Sequence, residues 1–393
     1  MAPDTLPVSP SIPRVLGTYD GQNAGPLLIC IGGMHGNEPA GVIAAQRVLQ
    51  RLHTQQPPFR GEFVALAGNR AALARCCRYV AEDFNRVWFP ERLATLRQAS
   101  SEKSLGPEEA EQRELLLALE TAFARRRGPI IFLDLHTTSA DGIPFTVISD
   151  TLLNRQLALS LPAPVILGLE EQLDGTTLNY MNDCGYLAIG FEGGQNEAPS
   201  SVAHHEAAIW TLLVTAGCLP RSDASPLDTL QDALAQETRT APRIGEIRYR
   251  HEIREGDNFM MEPGYVNFHA VQRGQLLARD RHGDIRAQEN GYLLMPLYQS
   301  QGTDGFFLVR EIYPLWLRVS AWLRRLRVDR LLPWLPGIRR HPDRSETLIV
   351  NPAIARWFVV EIFHLLGFRR QRTEEGKLIV SRRLHDVFSL TEW

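Results

Sequence analysis

Leu27-Leu28-Ile29-Cys30-Ile31 runs without a break into Gly32-Gly33-Met34-His35-Gly36-Asn37-Glu38. A short continuous apolar run that ends in paired glycines reads as a strand buried on both faces. From Glu38 to about residue 52 the pattern reads as a helix. The strand end and helix start therefore bring an imidazole, His35, and a carboxylate, Glu38, to one edge of a sheet.

Working outward, residues 62–67, 129–135, 145–149, 164–167 and 187–191 are further strand candidates. Residues 108–127 and 200–215 read as helices, the first with acidic residues early and arginines late, as the helix dipole prefers. Strands alternating with helices predict an α/β domain over 25–220, with a largely parallel central sheet flanked by helices. Residues 1–24 read as an N-terminal arm, with prolines concentrated in its first part. Residues 221–243, rich in Pro, Ser, Asp and Ala, read as a linker. Residues 244–312 alternate short apolar stretches with glycines and read as a small β domain.

The tail, 313–393, is expected to be helical and is rich in Arg and Trp. Arg318, Arg324, Arg325, Arg327, Arg330, Arg339 and Arg340 interleave with Trp316, Trp322 and Trp334, and Asp329 is the acid among them. Pro333 and Pro336 limit a regular helix to about 313–332. Two readings are open: an interfacial helix on a membrane surface, and an appendage packed on the body or on a second subunit, which is favoured. A second helical pattern, 351–369, carries Trp357, Phe358, Phe363 and Phe368.

The composition excludes some classes. The chain has 393 residues, 44% of them hydrophobic, and 42 basic residues nearly balance 45 acidic ones. That core is ample, and the charge balance gives no reason to expect nucleic acid as a partner. No apolar run reaches the ~18 residues a membrane span needs. The N-terminal segment lacks a basic stretch followed by an apolar one, and Cys30, Cys76, Cys77, Cys184 and Cys218 are odd in number. Reduced thiols and a cytoplasmic location are the expectation.

His136 follows the strand 129–135 directly, within Asp134-Leu135-His136-Thr137-Thr138. Parallel strands present their carboxyl ends on one edge, where ligands bind. His35, Glu38 and His136 can therefore converge, and two imidazoles with a carboxylate suit a catalytic zinc. Each also has a plainer reading: His35 as a cap, its spacing to Glu38 as chance, His136 as part of a polar turn; Glu192, which follows the apolar run 187–191, reads likewise as a hydrated strand end.

The stretch Gly32–Gly41 resembles the first zinc motif of the succinylglutamate desuccinylase/aspartoacylase family, a branch of the zinc carboxypeptidase-like fold. Residues 134–138 resemble its second motif, and Phe191-Glu192-Gly193-Gly194-Gln195 the motif of its catalytic glutamate. Gly68-Asn69-Arg70, Arg78-Tyr79 and Asp83-Phe84-Asn85-Arg86 resemble its substrate-binding stretch, with Phe84 where leucine is usual. Residues 291–298 and 302–307 are similar to its C-terminal β domain, so the resemblance spans about 25–312. It implies one Zn2+ per chain on His35, Glu38 and His136, with Glu192 as general base and Arg78 facing the oxyanion. It also implies that Asn85 and Arg86 hold a substrate carboxylate. Aspartoacylase-type enzymes carry a further arginine before the catalytic glutamate; residues 178–183 hold none, so reaction class and metal carry over and the substrate does not. Asp174 and Asn182 are candidates for the specificity pocket.

The expectation is a zinc-dependent amidohydrolase, a deacylase of an N-acyl amino acid or similar small carboxylate-bearing amide. The alternatives are a zinc carboxypeptidase acting on peptides and a non-catalytic zinc scaffold with a docking tail. The expected partner is a small-molecule substrate, and a homo-oligomer is left open.

Overall fold

The computed structural model describes residues 12–98, 105–344, 346–351, 359–374 and 377–382. Residues 1–11 of the expected arm, and Trp357 and Phe358 of the tail, lie outside them. In chain order the body begins β1 (Val15–Asp20), β2 (Asn23–Gly32), α1 (Ala40–Gln55), β3 (Arg60–Ala67), α2 (Arg70–Leu73), α3 (Pro90–Gln98) and α4 (Pro107–Ala124). It continues β4 (Ile130–Thr138), β5 (Phe145–Ile148), α5 (Leu152–Leu159), β6 (Val165–Leu167), α6 (Thr177–Asp183), β7 (Leu187–Gln195), α7 (Ser200–Thr215), α8 (Leu227–Thr238) and β8 (Ile244–Glu252). Then come β9 (Met260–Met261), β10 (His269–Val271), β11 (Leu276–Asp280), β12 (Gly283–Arg286), β13 (Gly291–Leu294) and β14 (Asp304–Glu311).

One mixed sheet of 11 strands runs β1-β3-β2-β4-β7-β5-β6-β8-β14-β13-β10. Its centre, β3-β2-β4-β7, is parallel. Alternate residues of β2 divide between two cores. Leu28 and Cys30 pack among residues of α1 and α7, such as Val48 and Ile209. Leu27, Ile29 and Ile31 join Leu115 and Leu119 of α4. Helices cover both faces, which is why the strand reads as continuously apolar. Each such side chain contributes roughly 1.5–3 kcal/mol by leaving water.

The register sets up the edge. In β2/β4 Gly32 lies beside Leu135, and in β4/β7 His136 lies beside Glu192. Directly opposed residues of a sheet share a face, so His136 and Glu192 project on the same side. Gly36 lets the loop after β2 press onto α2: a Cβ there would lie 2.0 Å from the backbone carbon of Ala72.

Four regions differ from the expectation. The proposed linker holds α8, whose Leu227 and Leu234 are buried against the α7 layer. Its helical leucine spacing was masked by the surrounding Pro, Ser and Asp. Residues 15–20 of the arm form β1, paired antiparallel with β3. The small β region is continuous with the main sheet, because β8 pairs with β6 and β14 with β8. The tail contains helices α9 (Pro314–Arg325) and α10 (Val359–Leu365). It adds a four-stranded antiparallel sheet, β15 (Ile338–Arg340), β16 (Thr347–Val350), β17 (Phe368–Glu374) and β18 (Lys377–Arg382), in the order β15-β16-β18-β17. Phe363 and Phe368 enter its core with Leu332, Ile338, Leu348, Val350 and Val380. Arginines interrupt β15 and β17, and β16 and β18 are short, so no long alternation marks them in sequence.

Candidate active site

His35 sits in the loop between β2 and α1, and Glu38 one turn on, where its N–H donates to the His35 carbonyl at 3.1 Å. His136 comes from β4. Glu38 joins them: its Oε1 is 2.8 Å from His35 Nδ1 and its Oε2 is 3.0 Å from His136 Nδ1. The Thr137 N–H also donates to Glu38 Oε2, at 3.1 Å. All three residues are buried, and one donor atom from each lies within 4.8 Å of the others.

The second nitrogen of each imidazole faces another carboxylate. His35 Nε2 is 3.2 Å from Asp83 Oδ1, and His136 Nε2 is 3.1 Å from Asp134 Oδ1. Outer carboxylates of this kind orient metal-binding histidines and raise their basicity. Two imidazole nitrogen donors and one carboxylate, each histidine braced from behind, fit a zinc ion. Sequence reading missed the bracing role of Asp83 and Asp134. The cue for Asp134 is its place two residues before His136 on a strand, hence on the same face.

Charge is concentrated here. Burial alone would raise the Glu38 carboxyl, but the two imidazoles outweigh it and hold the group well below the usual carboxylate range. Burial would lower the His136 imidazole, yet Asp134 and Glu38 raise it well above its ordinary value. Glu192 goes the other way. Burial, helped by the Glu38 and Asp134 charges and opposed by His136 and Arg78, pushes its carboxyl up to about 8. Its Oε2 is buried with no hydrogen-bond partner among the described residues.

The other expected residues also line the cleft, each with a prior commitment. Arg78 donates through Nε to Asp83 Oδ2 at 3.1 Å, and its Nη1 lies 3.6 Å from Glu38 Oε1. Asn85 Oδ1 accepts from the Thr177 N–H at 2.9 Å and hydroxyl at 2.8 Å, and its Nδ2 is 3.3 Å from His136 Nε2. Arg86 Nη2 donates to Asp304 Oδ2 at 2.7 Å, and Arg250 Nε donates to the other oxygen of Asp304 at 2.6 Å. Asp174 and Asn182 do not line the cleft. Asp174 is exposed, and Asn182 accepts from Asn154 Nδ2 at 3.0 Å, because α6 turns it toward α5. Asn179, on the same helix, faces the cleft instead.

The far wall is apolar, with Val147, Leu169, Leu173, Met295, Leu297 and Phe307. Part of the rim comes from the segment after β13. There Gln299 Oε1 accepts from Asn37 Nδ2 at 2.8 Å, and Gln301 Oε1 accepts from the Arg78 N–H at 3.1 Å.

Residues 24–209 match the sequence model described as the succinylglutamate desuccinylase/aspartoacylase catalytic domain. Over these residues the chain is similar to that family's catalytic domain. A curated relative, the N-acyl-aromatic-L-amino acid amidohydrolase (carboxylate-forming) of Xenopus tropicalis, is 32% identical over 118 residues. The match covers 29% of this chain and 34% of that protein, so the chain spans about a third of the relative's length. A succinylglutamate desuccinylase/aspartoacylase structure from Rhodobacter sphaeroides has a TM-score of 0.54 at 16% identity, covering 76% of this chain and 88% of that one. A succinylglutamate desuccinylase from Vibrio cholerae gives 0.52 at 16% identity, covering 75% and 85%. These two share the fold of the desuccinylase/aspartoacylase domain, the zinc carboxypeptidase-like mixed sheet.

Proposed function

We propose that the chain is a zinc-dependent amidohydrolase that cleaves the amide bond of an N-acyl amino acid or a similar small carboxylate-bearing amide. The observation that carries this reading is the buried His35–Glu38–His136 group, with a carboxylate behind each imidazole and the unpartnered Glu192 oxygen close by. Zinc, when bound by His35, Glu38 and His136, supplies Lewis acidity that polarises an amide carbonyl and makes water more acidic. Glu192 takes the proton of the attacking water and delivers it to the leaving amine, since a buried carboxyl with a raised proton affinity suits both transfers. Arg78, held by Asp83, offers the rest of its guanidinium to the oxygen where negative charge develops.

Substrate selection rests on the opposite wall. Its apolar side chains favour an apolar acyl group or amino-acid side chain. Arg86 and Asn85 are the candidates for the carboxylate, and Asp304 competes with that carboxylate for Arg86. The segment bearing Met295, Leu297 and Gln299 contributes to the cleft wall, which favours a small amide over a peptide.

The test is release of free amine from a panel of N-acetyl, N-succinyl and longer N-acyl amino acids. Untreated protein is compared with chelator-treated protein and with Glu192→Gln. Cleavage of one class, abolished by both controls, supports the reading. Full activity in metal-free protein or in Glu192→Gln overturns it.

A further inference from the structure

We propose that the outward face of α9, with the turn that follows it, docks on an anionic lipid bilayer. The helix is mounted with its polar side inward. Its buried residues are Leu317, Ser320 and Arg324, and the Arg324 side chain is completely buried. That guanidinium donates to the Asp150 carbonyl at 2.8 Å, to Asp150 Oδ2 at 2.9 Å and to the Leu365 carbonyl at 3.1 Å. Ser320 donates to the same Leu365 carbonyl at 2.6 Å. Turning α9 about its axis would leave a buried aspartate and a buried arginine short of partners, a costly state. The rotation of the helix is therefore fixed by its polar side.

The apolar side consequently faces solvent. Trp316, Trp322 and Trp334 are 53%, 61% and 86% exposed, whereas Trp88 and Trp210 in the body are 2% and 0% exposed. Leu315, Leu326 and Leu331 are more than half exposed as well. Leu315, Arg318 and Trp322 succeed one another at helical spacing, so apolar and cationic side chains share one stripe. Arg318, Arg325, Arg327, Arg330, Arg339 and Arg340 are all exposed, and none of them forms an ion pair among the described residues. The nearby acid, Asp329, lies 3.5 Å from Arg382.

Exposed tryptophan and leucine among unpaired arginines match the chemistry of a bilayer surface. The rings and aliphatic chains enter the headgroup–acyl boundary while the guanidinium groups reach lipid phosphate. A second copy of the same face is a poorer occupant, because it would set one arginine cluster against another. No helix among the described residues is long and apolar enough to cross a membrane, so the contact is peripheral.

The test is co-sedimentation of the full chain with vesicles of phosphatidylcholine alone and of phosphatidylcholine doped with phosphatidylglycerol. Expected are binding to the doped vesicles, weakened by salt, and a blue shift of tryptophan emission. Arg318→Gln and Arg325→Gln should each weaken binding roughly fivefold, the yield of one cation near an anionic surface. Trp322→Ser with Trp334→Ser should weaken it by about tenfold or more. All these side chains are exposed, so circular dichroism and the thermal midpoint should not move. Absence of binding to either vesicle overturns the proposal, as does binding that none of these variants weakens. A dimer dissolved by Trp322→Glu in protein that ignores both vesicles overturns it too and assigns the face to a second copy.

Discussion

At the carboxyl edge of β4 and β7, Glu38, Asp83, Asp134 and Glu192 surround two imidazoles and the Arg78 guanidinium. Beneath α9, Asp150, Glu171 and Glu246 meet Arg155, Arg324 and Arg369. Both clusters are buried and hydrogen-bonded, yet they are composed differently. The first carries more carboxylates than fixed cations, and its two imidazoles offer nitrogen donors to a metal ion that would restore balance. The second sets the guanidinium groups of Arg155, Arg324 and Arg369 against acidic side chains of the protein itself. The first is built for a ligand and the second for docking the tail.

The comparison can be broken at several points. The largest expected effect is that of Glu192→Gln. Turnover on the substrate found by the amine-release panel should fall by about 10²–10⁴-fold with bound metal unchanged, checked by steady-state kinetics beside elemental analysis. In the second cluster, Arg324→Met should destabilise the protein by roughly 3 kcal/mol, because Asp150 keeps Arg155 and Arg369 but loses its innermost partner. Urea unfolding reads this, and an unchanged midpoint would show that the cluster does not dock the tail. Asp83→Asn should weaken metal affinity by about 10–100-fold, since the His35 ring loses its brace; competition against a chromophoric chelator measures it.

A smaller effect is one of pH. Burial raises the Glu171 carboxyl from its usual 4.5 to about 8, despite the opposing charge of Arg369. The folded state then holds a proton that the unfolded state releases, so this contribution is intact below about pH 4.5 and is lost as pH rises through 8. Glu171→Gln should flatten the fall of the unfolding midpoint across that window. The smallest effect concerns specificity. Asp304→Asn releases Arg86 from its carboxylate partner and should lower KM severalfold for acyl groups that bear an extra carboxylate. Equal change for neutral acyl groups would argue against Arg86 as the contact.

The fold was legible wherever chemistry and local order coincide. Residues 27–41 announce a strand, a turn and a helix within a few residues, and His35 and Glu38 travel with them. His136 and Glu192 were legible because each ends an apolar run, and their adjacency follows from a parallel register. α8 was hidden because its neighbours read as linker. The tail sheet was hidden because its strands are short and two of them, β15 and β17, are studded with arginine.

By itself, the sequence determined the doubly covered sheet and the residues delivered to its carboxyl edge, since burial pattern and strand direction act locally. Tertiary structure alone decided what those residues meet. Arg86 is paired with Asp304, 218 positions away, and Asn37 with Gln299, 262 away. Arg324 reaches Asp150 across 174 positions and so turns the tryptophans of α9 outward. No periodicity encodes such pairs. They form because a polar or charged group taken out of water must find its partner, and which partner lies within reach depends on how the whole chain packs.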